Sequence, residues 1–578
     1  MTSSLRRAAK VLARTVRVDF DQPDWQSLLR KDPALWRDAR ARAAGGPKVL
    51  IATSHGGHAA STRIESLLAV ALTLRGADVH VLLCDGVLPG CLMCSYARFP
   101  DTRTFIEEGP QKRVCWDCFP PGMELYRKLG VTVHRYGALL SPEETGRARA
   151  LAASTPAAEI PGFRVDGAAV GEHALAGALR YFARGTLGDT PEEEAVLRRY
   201  FQAALITRDA THNLFGAHRF ESACFNHGIY VPQGIIGEVA RQRGVRVVNW
   251  NPGYRKKCFI FSHGDTYHHT LMTEPTSTWE SVEWTPRLER KTVDYLQSRW
   301  QGSRDWIRFL HKDAEEDLGA ISAELGIDLS KPTIGMLTNV IWDAQLHYPA
   351  NAFENMVDWA LQTVRYFAGR PELQLVIRVH PAEITGTLPS RQLMADEIRA
   401  AFPQLPPNVF LIGPESRIST YAVMEQCNAV IIYGTKTGVE LTSSGKPVIV
   451  AGEAWIRNKG ISLDVTSPAG YVRVLDRLPL AGPMDDASRQ RARKYAFHFF
   501  FRRMIPLAAV EPAKYLKPYR IAAASLGELL PGCDPGLDVI CDGILAGSEF
   551  VYRAELDGAR PGPGAVEPAV VSSGMYAE

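Results

Sequence analysis

Short apolar runs separated by helix-length stretches dominate residues 373–452. The runs Leu373–Val379, Ala429–Tyr433 and Pro447–Val450 are mainly apolar, and a helical pattern begins at Val439 between the last two. Continuous apolar runs of this length are typical of parallel strands that helices cover on both faces. Ligands of such sheets bind beyond the carboxyl ends of the strands. The pattern therefore predicts an α/β ligand-binding domain in this part of the chain.

The same alternation begins near residue 48. A strand at Lys48–Thr53, a helix at Arg63–Arg75 and a strand at Ala77–Leu83 predict a β-α-β unit. Lys331-Pro332 then precedes a fresh strand, Thr333–Leu337. The fold class predicted is α/β, with two Rossmann-like, doubly wound parallel-sheet domains that face a cleft. Further strands are predicted at Val131–His134, Ser222–Asn226, Val245–Trp250 and Cys258–Phe261.

At 578 residues the chain is too long for one ordinary core. The tail is rich in Gly, Pro and Ala, and we expect it to be disordered. The aromatic and basic run Lys494–Ile505 is interpreted either as a helix that crosses back onto the first domain or as a membrane-facing patch. The boundaries predicted are an N-terminal extension at 1–45, a first Rossmann-like domain at 46–270, a helical connector at 271–330, a second Rossmann-like domain at 331–490, closing helices at 491–550 and a disordered tail at 551–578.

Composition limits the kind of protein this is. Charges nearly balance at +3 and 46% of residues are hydrophobic, so we expect a soluble globular protein and no nucleic-acid partner. No apolar stretch is long enough to span a bilayer, and the start lacks the apolar core of a secretory signal, which predicts a cytoplasmic location. Leu5, Ala9 and Leu12 share a helical face among basic residues. This start predicts either a peripheral contact at the inner face of the membrane or a frayed, solvated terminus.

A candidate phosphate site lies at two successive strand ends. Gly434-Thr435-Lys436-Thr437-Gly438 opens a predicted helix, and it offers backbone N–H groups, two hydroxyls and an ammonium group. Arg378 and His380 end the preceding predicted strand and can hold further oxygens. Taken alone, the Gly434–Gly438 segment can be an ordinary turn, and Arg378 and His380 can simply end a strand. The loop lacks the spacing of a Walker A motif.

Cysteines form a second candidate site within residues 86–122. Cys91, Cys94, Cys115 and Cys118 give the pattern C-x2-C-x20-C-x2-C. Two such pairs typically place four thiolates around one tetrahedral Zn²⁺, here a structural ion that would hold a polar, Pro- and Gly-containing insertion together. An iron–sulfur cluster takes the same four ligands, and a pair of disulfides is the remaining alternative. The role of the insertion, acceptor recognition or support, stays open.

The strand-end motifs carry a resemblance to a known family. R-V-H-P at 378–381, followed by I-I-Y-G-T-K-T-G-V-E-L-T-S-S-G-K-P-V-I-V, resembles the donor half of capsule polysaccharide biosynthesis glycosyltransferases. This GT-B group includes Kdo transferases and is similar to bacterial sialyltransferases and polyol-phosphate polymerases. The resemblance implies that His380 meets the nucleotide and that Thr435 and Thr437 meet its phosphate. It also implies a first domain that holds the acceptor and a second that holds the nucleotide sugar.

The predicted donor site has a chemical role for each of its residues, and Glu440 is added to it. Arg378, His380, Lys436 and the N–H groups of the loop from Gly434 would stabilise the leaving phosphate as negative charge develops. Glu440 would reach ribose hydroxyls, as acidic residues do in many GT-B donor sites, or else cap the helix start. The site has no visible Asp-x-Asp pair, so transfer without a catalytic divalent metal is predicted.

Candidate bases lie in the first domain. The loop Ser54-His55-Gly56-Gly57-His58 follows a predicted strand and resembles the cleft-facing first loop of GT-B proteins. His58 or His55 could take a proton from an acceptor hydroxyl, because an imidazole titrates near working pH. Alternatively, both shape the loop by hydrogen bonding. Glu238, in the helix after F-N-H-G-I-Y-V-P-Q-G, is a rival base or a solvated surface residue.

The function predicted is transfer of a sugar from a nucleotide-activated donor, CMP- or NDP-linked, to a saccharide or lipid-linked acceptor. Two alternatives keep the double-Rossmann body: a nucleotide-sugar 2-epimerase and a polyol-phosphate transferase. A third is a zinc-stabilised scaffold without catalysis. The sequence does not decide which sugar is transferred, which nucleotide base the donor carries, or whether the transfer inverts or retains configuration.

Overall fold

The computed structural model describes residues 23–307, 314–328, 330–344, 346, 348–513 and 519–557. The basic start at 1–17 and most of the predicted disordered tail, from residue 558 onward, lie outside these ranges. Residues 551–557 are described, and Ala554 among them is buried.

A seven-stranded sheet organises the first half, in the spatial order β13-β6-β5-β4-β1-β2-β3. Strands β1 to β5 run parallel, while β6 is antiparallel to β5 and β13 is antiparallel to β6. The antiparallel edge departs from the predicted all-parallel sheet, because a short turn rather than a crossover helix joins β5 to β6. The strands are β1 Lys48–Ser54, β2 Asp78–Leu83, β3 Thr132–Arg135, β4 Ser222–Asn226, β5 Arg246–Pro252, β6 Cys258–His263 and β13 Ile505–Pro506.

Helices cover both faces of this sheet. Helix α3 is buried along almost its whole length, since it packs between the sheet and the C-terminal elements. Helix α8 begins with Thr190 as its N-cap and three glutamates in its first turn, where carboxylates favour the positive helix end. The helices are α1 Trp25–Lys31, α2 Pro33–Ala43, α3 Ala59–Leu74, α4 Thr102–Glu108, α5 Trp116–Leu129, α6 Pro142–Ser154, α7 Val170–Phe182, α8 Pro191–Ala217 and α9 Gln233–Gln242.

Four helices connect the two sheets: α10 Tyr267–Thr273, α11 Ser277–Glu280, α12 Pro286–Gln301 and α13 Leu318–Leu325. A helical connector was predicted at 271–330, and residues 308–313 of it lie outside the described ranges. Within these ranges, α13 begins at Leu318, where Asp317 accepts a hydrogen bond from the Ala320 N–H as its N-cap.

A six-stranded, wholly parallel sheet organises the second half, in the order β12-β11-β10-β7-β8-β9. Its central strands are buried at every position, which explains why they are apolar throughout. The strands are β7 Thr333–Leu337, β8 Gln374–Arg378, β9 Val409–Ile412, β10 Ala429–Ile432, β11 Val448–Val450 and β12 Leu463–Asp464, and the helices are α14 Met356–Ala368, α15 Ala382–Thr385, α16 Met394–Ala401, α17 Thr420–Gln426, α18 Thr437–Ser443 and α19 Pro468–Leu475.

The chain then returns to the first sheet. Helix α20, Asp486–Phe497, continues as a π-helical turn, His498–Arg503, and leads into β13 at the edge of that sheet. Phe499, Phe500 and Phe501 are buried, so the membrane-facing interpretation of this run is wrong. The last elements are β14 Val510–Pro512, β15 Tyr519–Ile521 and α21 Pro535–Ala546.

The predicted fold class is confirmed: two Rossmann-like α/β units of GT-B type face each other, and a C-terminal segment joins them. No helix in the described ranges is both long and apolar enough to cross a bilayer.

Candidate functional site

A cavity of about 280 Å³ lies where the two halves meet. Its walls come from the loops that follow β7, β8, β10 and β11, together with Tyr254 and His268 of the first half and residues after α12. Carboxyl-end loops of parallel strands meet at one edge of the sheet, which is the usual ligand position in such folds. This volume is close to the lower end of the range of volumes typical of ligand pockets.

His380 and Arg378 both line this cavity at the end of β8. The Ala382 N–H donates to His380 Nδ1 at 3.0 Å, so the ring proton lies on Nε2. Burial, with Lys436 and Arg378 nearby, lowers the pKa of His380 to about 4, and the ring is a neutral donor at pH 7. Arg378 donates to the carbonyl oxygens of Gly413 and Ser416, so part of its donor capacity holds the loop after β9.

The loop 434–437 follows β10 and lines the same cavity. Thr435 Oγ1 accepts a hydrogen bond from the Thr437 N–H at 3.3 Å and lies 3.3 Å from Thr437 Oγ1. Lys436 Nζ lies 5.1 Å from the centre of the Tyr254 ring. Helix α18 has only seven residues, so the groups this loop offers to an anion are its hydroxyls and the Lys436 charge rather than a long helix dipole. The structure therefore brings Arg378, His380 and the loop together.

Glu440 occupies a different position from the one expected for a ribose contact. It does not line the cavity, and its side chain is fully buried behind Lys436. Its carboxylate lies 3.0 Å from Lys436 Nζ and 3.0 Å from Arg299 Nε, and it accepts a hydrogen bond from the Tyr421 hydroxyl at 2.7 Å. Burial alone would raise the pKa of Glu440, but Arg299 and Lys436 outweigh burial and hold the pKa at about 2. Glu440 thus positions Lys436.

Sequence reasoning missed several cavity residues. Arg299 and Asp305 come from the connector and form a buried ion pair there. Asp343 lies in the loop after β7 and accepts a hydrogen bond from the Tyr230 hydroxyl at 3.1 Å. Asn339 also lines the cavity, and its buried Oδ1 has no hydrogen-bond partner among the described residues. Of these residues, Asn339 carried a usable signal, because it lies two residues beyond the end of the predicted strand Thr333–Leu337.

The two candidate histidines flank the Gly56–Gly57 turn after β1. Gln233 donates to His55 Nδ1 at 2.9 Å, and His55 is only 2% exposed, which suits a residue that shapes the loop. His58 is half-buried, with Nδ1 at 2.6 Å from the Ser61 hydroxyl. Burial and then Arg180 lower the pKa of His58 to about 4, so its imidazole is neutral at pH 7.

Neither histidine lines the cavity. Electrostatic coupling nevertheless links His58 to His227, and the His227 ring centre lies 5.7 Å from that of His268, a cavity residue. His227 follows β4 and also interacts electrostatically with Asp343. His58, His227 and His268 are called the imidazole row below. The rings of His227 and His268 are in contact, whereas His227 is related to His58 only by lowering its pKa.

Glu238 lies apart from this row. It pairs with Arg241 at 2.7 Å and accepts a hydrogen bond from the Ala169 N–H at 3.3 Å. His173 Nε2 lies 3.6 Å from the same carboxylate. These contacts tie α9 to α7, and Glu238 does not line the cavity.

Of the four motif cysteines, Cys118 lies at the Gly56–Gly57 turn, where the Gly57 N–H donates to its Sγ at 3.2 Å. Cys84, which the spacing did not reveal, lies near the motif, since burial and then the neighbouring Cys91 raise its pKa. The Sγ atoms of Cys91 and Cys94 lie 3.9 Å apart. Burial, and after it the neighbouring Cys91, Cys84 and Cys118, raises the pKa of the Cys115 thiol. Burial and the neighbouring Cys91 raise the pKa of Cys118 to about 11. Within the described ranges, no three His, Cys, Asp or Glu side chains are arranged as a metal site requires, and the zinc site stays a prediction.

Comparison with known proteins finds no matching family model and no matching curated protein. Several solved structures match. One is the β-Kdo 2,4 transferase KpsC of Thermosulfurimonas dismutans, with 12% identity over 48% of this chain and 79% of that chain and a TM-score of 0.31. Another is the UDP-GlcNAc 2-epimerase of Neisseria meningitidis bound to UDP-GlcNAc, with 10% identity over 78% of this chain and 98% of that chain and a TM-score of 0.24. A third is the spinosyn rhamnosyltransferase SpnG, with 13% identity over 88% of this chain and 98% of that chain and a TM-score of 0.18. At these identities and scores the likeness concerns the fold, so the chemistry rests on this chain's own residues.

Proposed function

We propose that the protein is a glycosyltransferase that moves a sugar from a nucleotide-activated donor to a saccharide or lipid-linked acceptor. The convergence of Arg378, His380, Thr435, Lys436 and Thr437 on one interdomain cavity carries this proposal. Cationic and hydroxyl donors at the carboxyl ends of parallel strands suit a phosphate group. The Oδ1 of Asn339, which has no hydrogen-bond partner among the described residues, offers an acceptor for a ligand hydroxyl or base.

The donor's leaving group is the phosphate of the nucleotide. As the bond between the anomeric carbon and the phosphate oxygen breaks, negative charge develops on that oxygen. Lys436, held in place by Glu440, and the Nε2–H of His380 stabilise this charge, together with the hydroxyls of Thr435 and Thr437. We propose that no divalent metal takes part in this step.

In an inverting transfer, the acceptor hydroxyl attacks the anomeric carbon and must lose its proton. We assign His58 as the base, because its imidazole is neutral at pH 7 and because His227, which lowers its pKa, contacts the cavity residue His268. His55 is held by Gln233 and shapes the turn, whereas Glu238 is engaged by Arg241 away from the cavity. A retaining transfer would dispense with the base.

Product analysis tests the proposal. The protein is incubated with CMP-, CDP-, UDP- and GDP-linked sugars, with and without saccharide acceptors, and free nucleotide and product sugars are measured. The proposal expects nucleotide release that rises with acceptor and falls strongly in Lys436→Met. Epimerised nucleotide sugar formed without any acceptor would favour the 2-epimerase alternative. No turnover and no nucleotide binding would favour the scaffold.

A further inference from the structure

Two carboxylates line the interdomain cavity besides Asp305, which is paired with Arg299. Asp343 comes from the loop after β7, and Glu453 comes from the loop after β11. Both act on the phenol of Tyr348, another lining residue, since burial and then Asp343 and Glu453 raise its pKa. The two carboxylates therefore lie in the same part of the cavity, and Asp343 and Glu453 are called the acidic pair below.

Glu453 lies beside the loop 434–437, which the proposed function assigns to the phosphate of the donor. A Cβ added at Gly434, where this loop begins, would lie 3.3 Å from the Glu453 carbonyl oxygen. The Glu453 carboxylate is held in place, because its Oε1 accepts a hydrogen bond from the Ala350 N–H at 2.6 Å. In a nucleotide sugar the anomeric carbon is bonded to an oxygen of the terminal phosphate. A sugar whose phosphate binds to this loop therefore lies next to Glu453.

Asp343 lies on the side of the cavity that faces the first domain. Its Oδ1 accepts a hydrogen bond from the Tyr230 hydroxyl at 3.1 Å, and the same hydroxyl accepts one from the Ala344 N–H at 3.0 Å. Tyr230 belongs to the loop after β4 in the first half. In the proposed transfer the sugar passes from a phosphate held by the second domain to an acceptor held by the first. The sugar therefore lies between the loop 434–437 and Tyr230, beside the acidic pair.

Carboxylates in this position suit a neutral sugar and repel an acidic one. They accept charge-assisted hydrogen bonds from sugar hydroxyls. A carboxylate on the sugar would instead meet like charges in a partly buried site, where solvent screens the repulsion weakly. The site already opposes the charge of Glu453, since burial raises the pKa of this residue. Nearby cations are engaged, because Lys436 and Arg299 each lie 3.0 Å from the Glu440 carboxylate.

We propose that Asp343 and Glu453 select donors whose sugar is neutral, such as a hexose, a deoxyhexose or an N-acetylhexosamine, and reject sugars that carry a carboxylate. The rejected class comprises uronic acids and keto sugar acids. The inference rests on the proposed function, because the phosphate loop places the sugar. The acidic pair contacts the hydroxyls of the transferred sugar and determines specificity for the donor.

Dissociation constants of matched nucleotide sugars test this proposal on the full chain. UDP-glucose and UDP-glucuronate differ only in having a hydroxymethyl or a carboxylate group, and GDP-mannose and GDP-mannuronate form a second such pair. For cytidine, CDP-glucose is compared with CDP, and CMP-N-acetylneuraminate with CMP. Isothermal titration calorimetry should find that each acidic sugar binds at least about tenfold more weakly than its neutral partner or, for CMP, than the free nucleotide. CDP-glucose should bind at least as tightly as CDP.

Substitution of the acidic pair tests which residues cause this preference. Asp343→Asn combined with Glu453→Gln removes both charges and keeps the shapes of the side chains, so the ratio of acidic to neutral dissociation constants should fall to about two. Glu354→Gln is the matched control, because Glu354 is exposed and does not line the cavity, and it should keep the wild-type ratio. If the double variant does not fold, each single substitution should lower the ratio at least about threefold.

The outcomes separate this inference from the proposed function. Nucleotides that bind without any preference between neutral and acidic sugars overturn the inference and leave the proposed function standing. A preference that the double variant keeps overturns it as well. A preference that disappears with a chelator and returns with Mg²⁺ also overturns it, since the carboxylates would then hold a metal ion. If none of the nucleotides or nucleotide sugars binds, the proposed function and the inference both fail.

Discussion

At the residue scale, Thr435 and Thr437 supply the two hydroxyl groups of the candidate phosphate loop. Their hydroxyl oxygens lie 3.3 Å apart in a loop that also exposes Lys436 to the cavity. Valine has nearly the same shape but offers no hydrogen bond. The hydroxyls can therefore be removed while the loop keeps its packing.

We predict that Thr435→Val combined with Thr437→Val weakens binding of the donor nucleotide by at least about tenfold, because hydrogen bonds to a charged group are lost. Isothermal titration calorimetry measures this loss. Thr385→Val, an exposed position outside the cavity, is the matched control and should bind as the wild type does. Unchanged affinity in the double variant would contradict the phosphate assignment.

The role of Glu440 could not be predicted from the sequence around it. Its position three residues after Thr437 suggested contact with ribose, yet Arg299, from a connector helix more than a hundred residues away, turns it into a buried ion-pair partner. No local sequence pattern predicts the contact between Glu440 and Arg299. By contrast, Arg378, His380 and the 434–437 loop were predictable because strand ends of one parallel sheet meet at one edge.

The depressed pKa of Glu440 makes stability depend on pH. The pKa falls from its ordinary 4.5 to about 2, so the ion pairs contribute about 3 kcal/mol above pH 4.5, lost as pH drops toward 2. Glu440→Gln should therefore lower the thermal unfolding midpoint at pH 7, and the difference from wild type should shrink between pH 4.5 and 2. Glu316→Gln, an exposed position, should change little at either pH. A difference that is independent of pH would rule out this role.

At the scale of elements, the strands were the most predictable part. Thr333–Leu337 and Ser222–Asn226 have their predicted bounds, and the other predicted strands shift by one or two residues at an end, because a buried parallel strand must be apolar throughout. The return of the run Lys494–Ile505 to the first domain was one of its two predicted interpretations. The antiparallel direction of β6 and the pairing of Ile505–Pro506 with it were not predicted, since strand pairing leaves little signal in the local sequence. The contact of helix α5 with the Gly56–Gly57 turn was also invisible in the sequence.

That contact gives a prediction for α5. Gly122→Ala should lower the unfolding midpoint by several degrees, because overpacking against Gly56 typically costs about 1–3 kcal/mol. Gly146→Ala in α6 is the control, since nothing lies within 4 Å of its added Cβ and alanine favours a helix by roughly 0.5–1 kcal/mol. Differential scanning fluorimetry compares the two. Equal shifts in the same direction would contradict the close approach.

At the scale of the whole molecule, the cavity needs both halves of the chain. Tyr254 and His268 belong to the first half and Arg299 to the connector, whereas the phosphate-side residues belong to the second half. Further contacts hold the halves together: Gln392 Oε1 accepts from the Gly185 N–H at 2.9 Å, and Lys459 Nζ donates to Glu274 O at 2.8 Å. A ligand in the cavity should therefore stabilise the whole chain and not one domain alone.

Nucleotide binding is the most direct test of the central claim that this cavity accepts a phosphorylated donor. The measurement is a thermal-shift titration of CMP, CDP, UDP and GDP against the wild type and Lys436→Met. We predict that at least one nucleotide stabilises the wild type, by about 2.7 kcal/mol at a hundred times its dissociation constant, and that Lys436→Met loses most of this gain. No stabilisation by any of the four nucleotides, or equal stabilisation of wild type and variant, would contradict it.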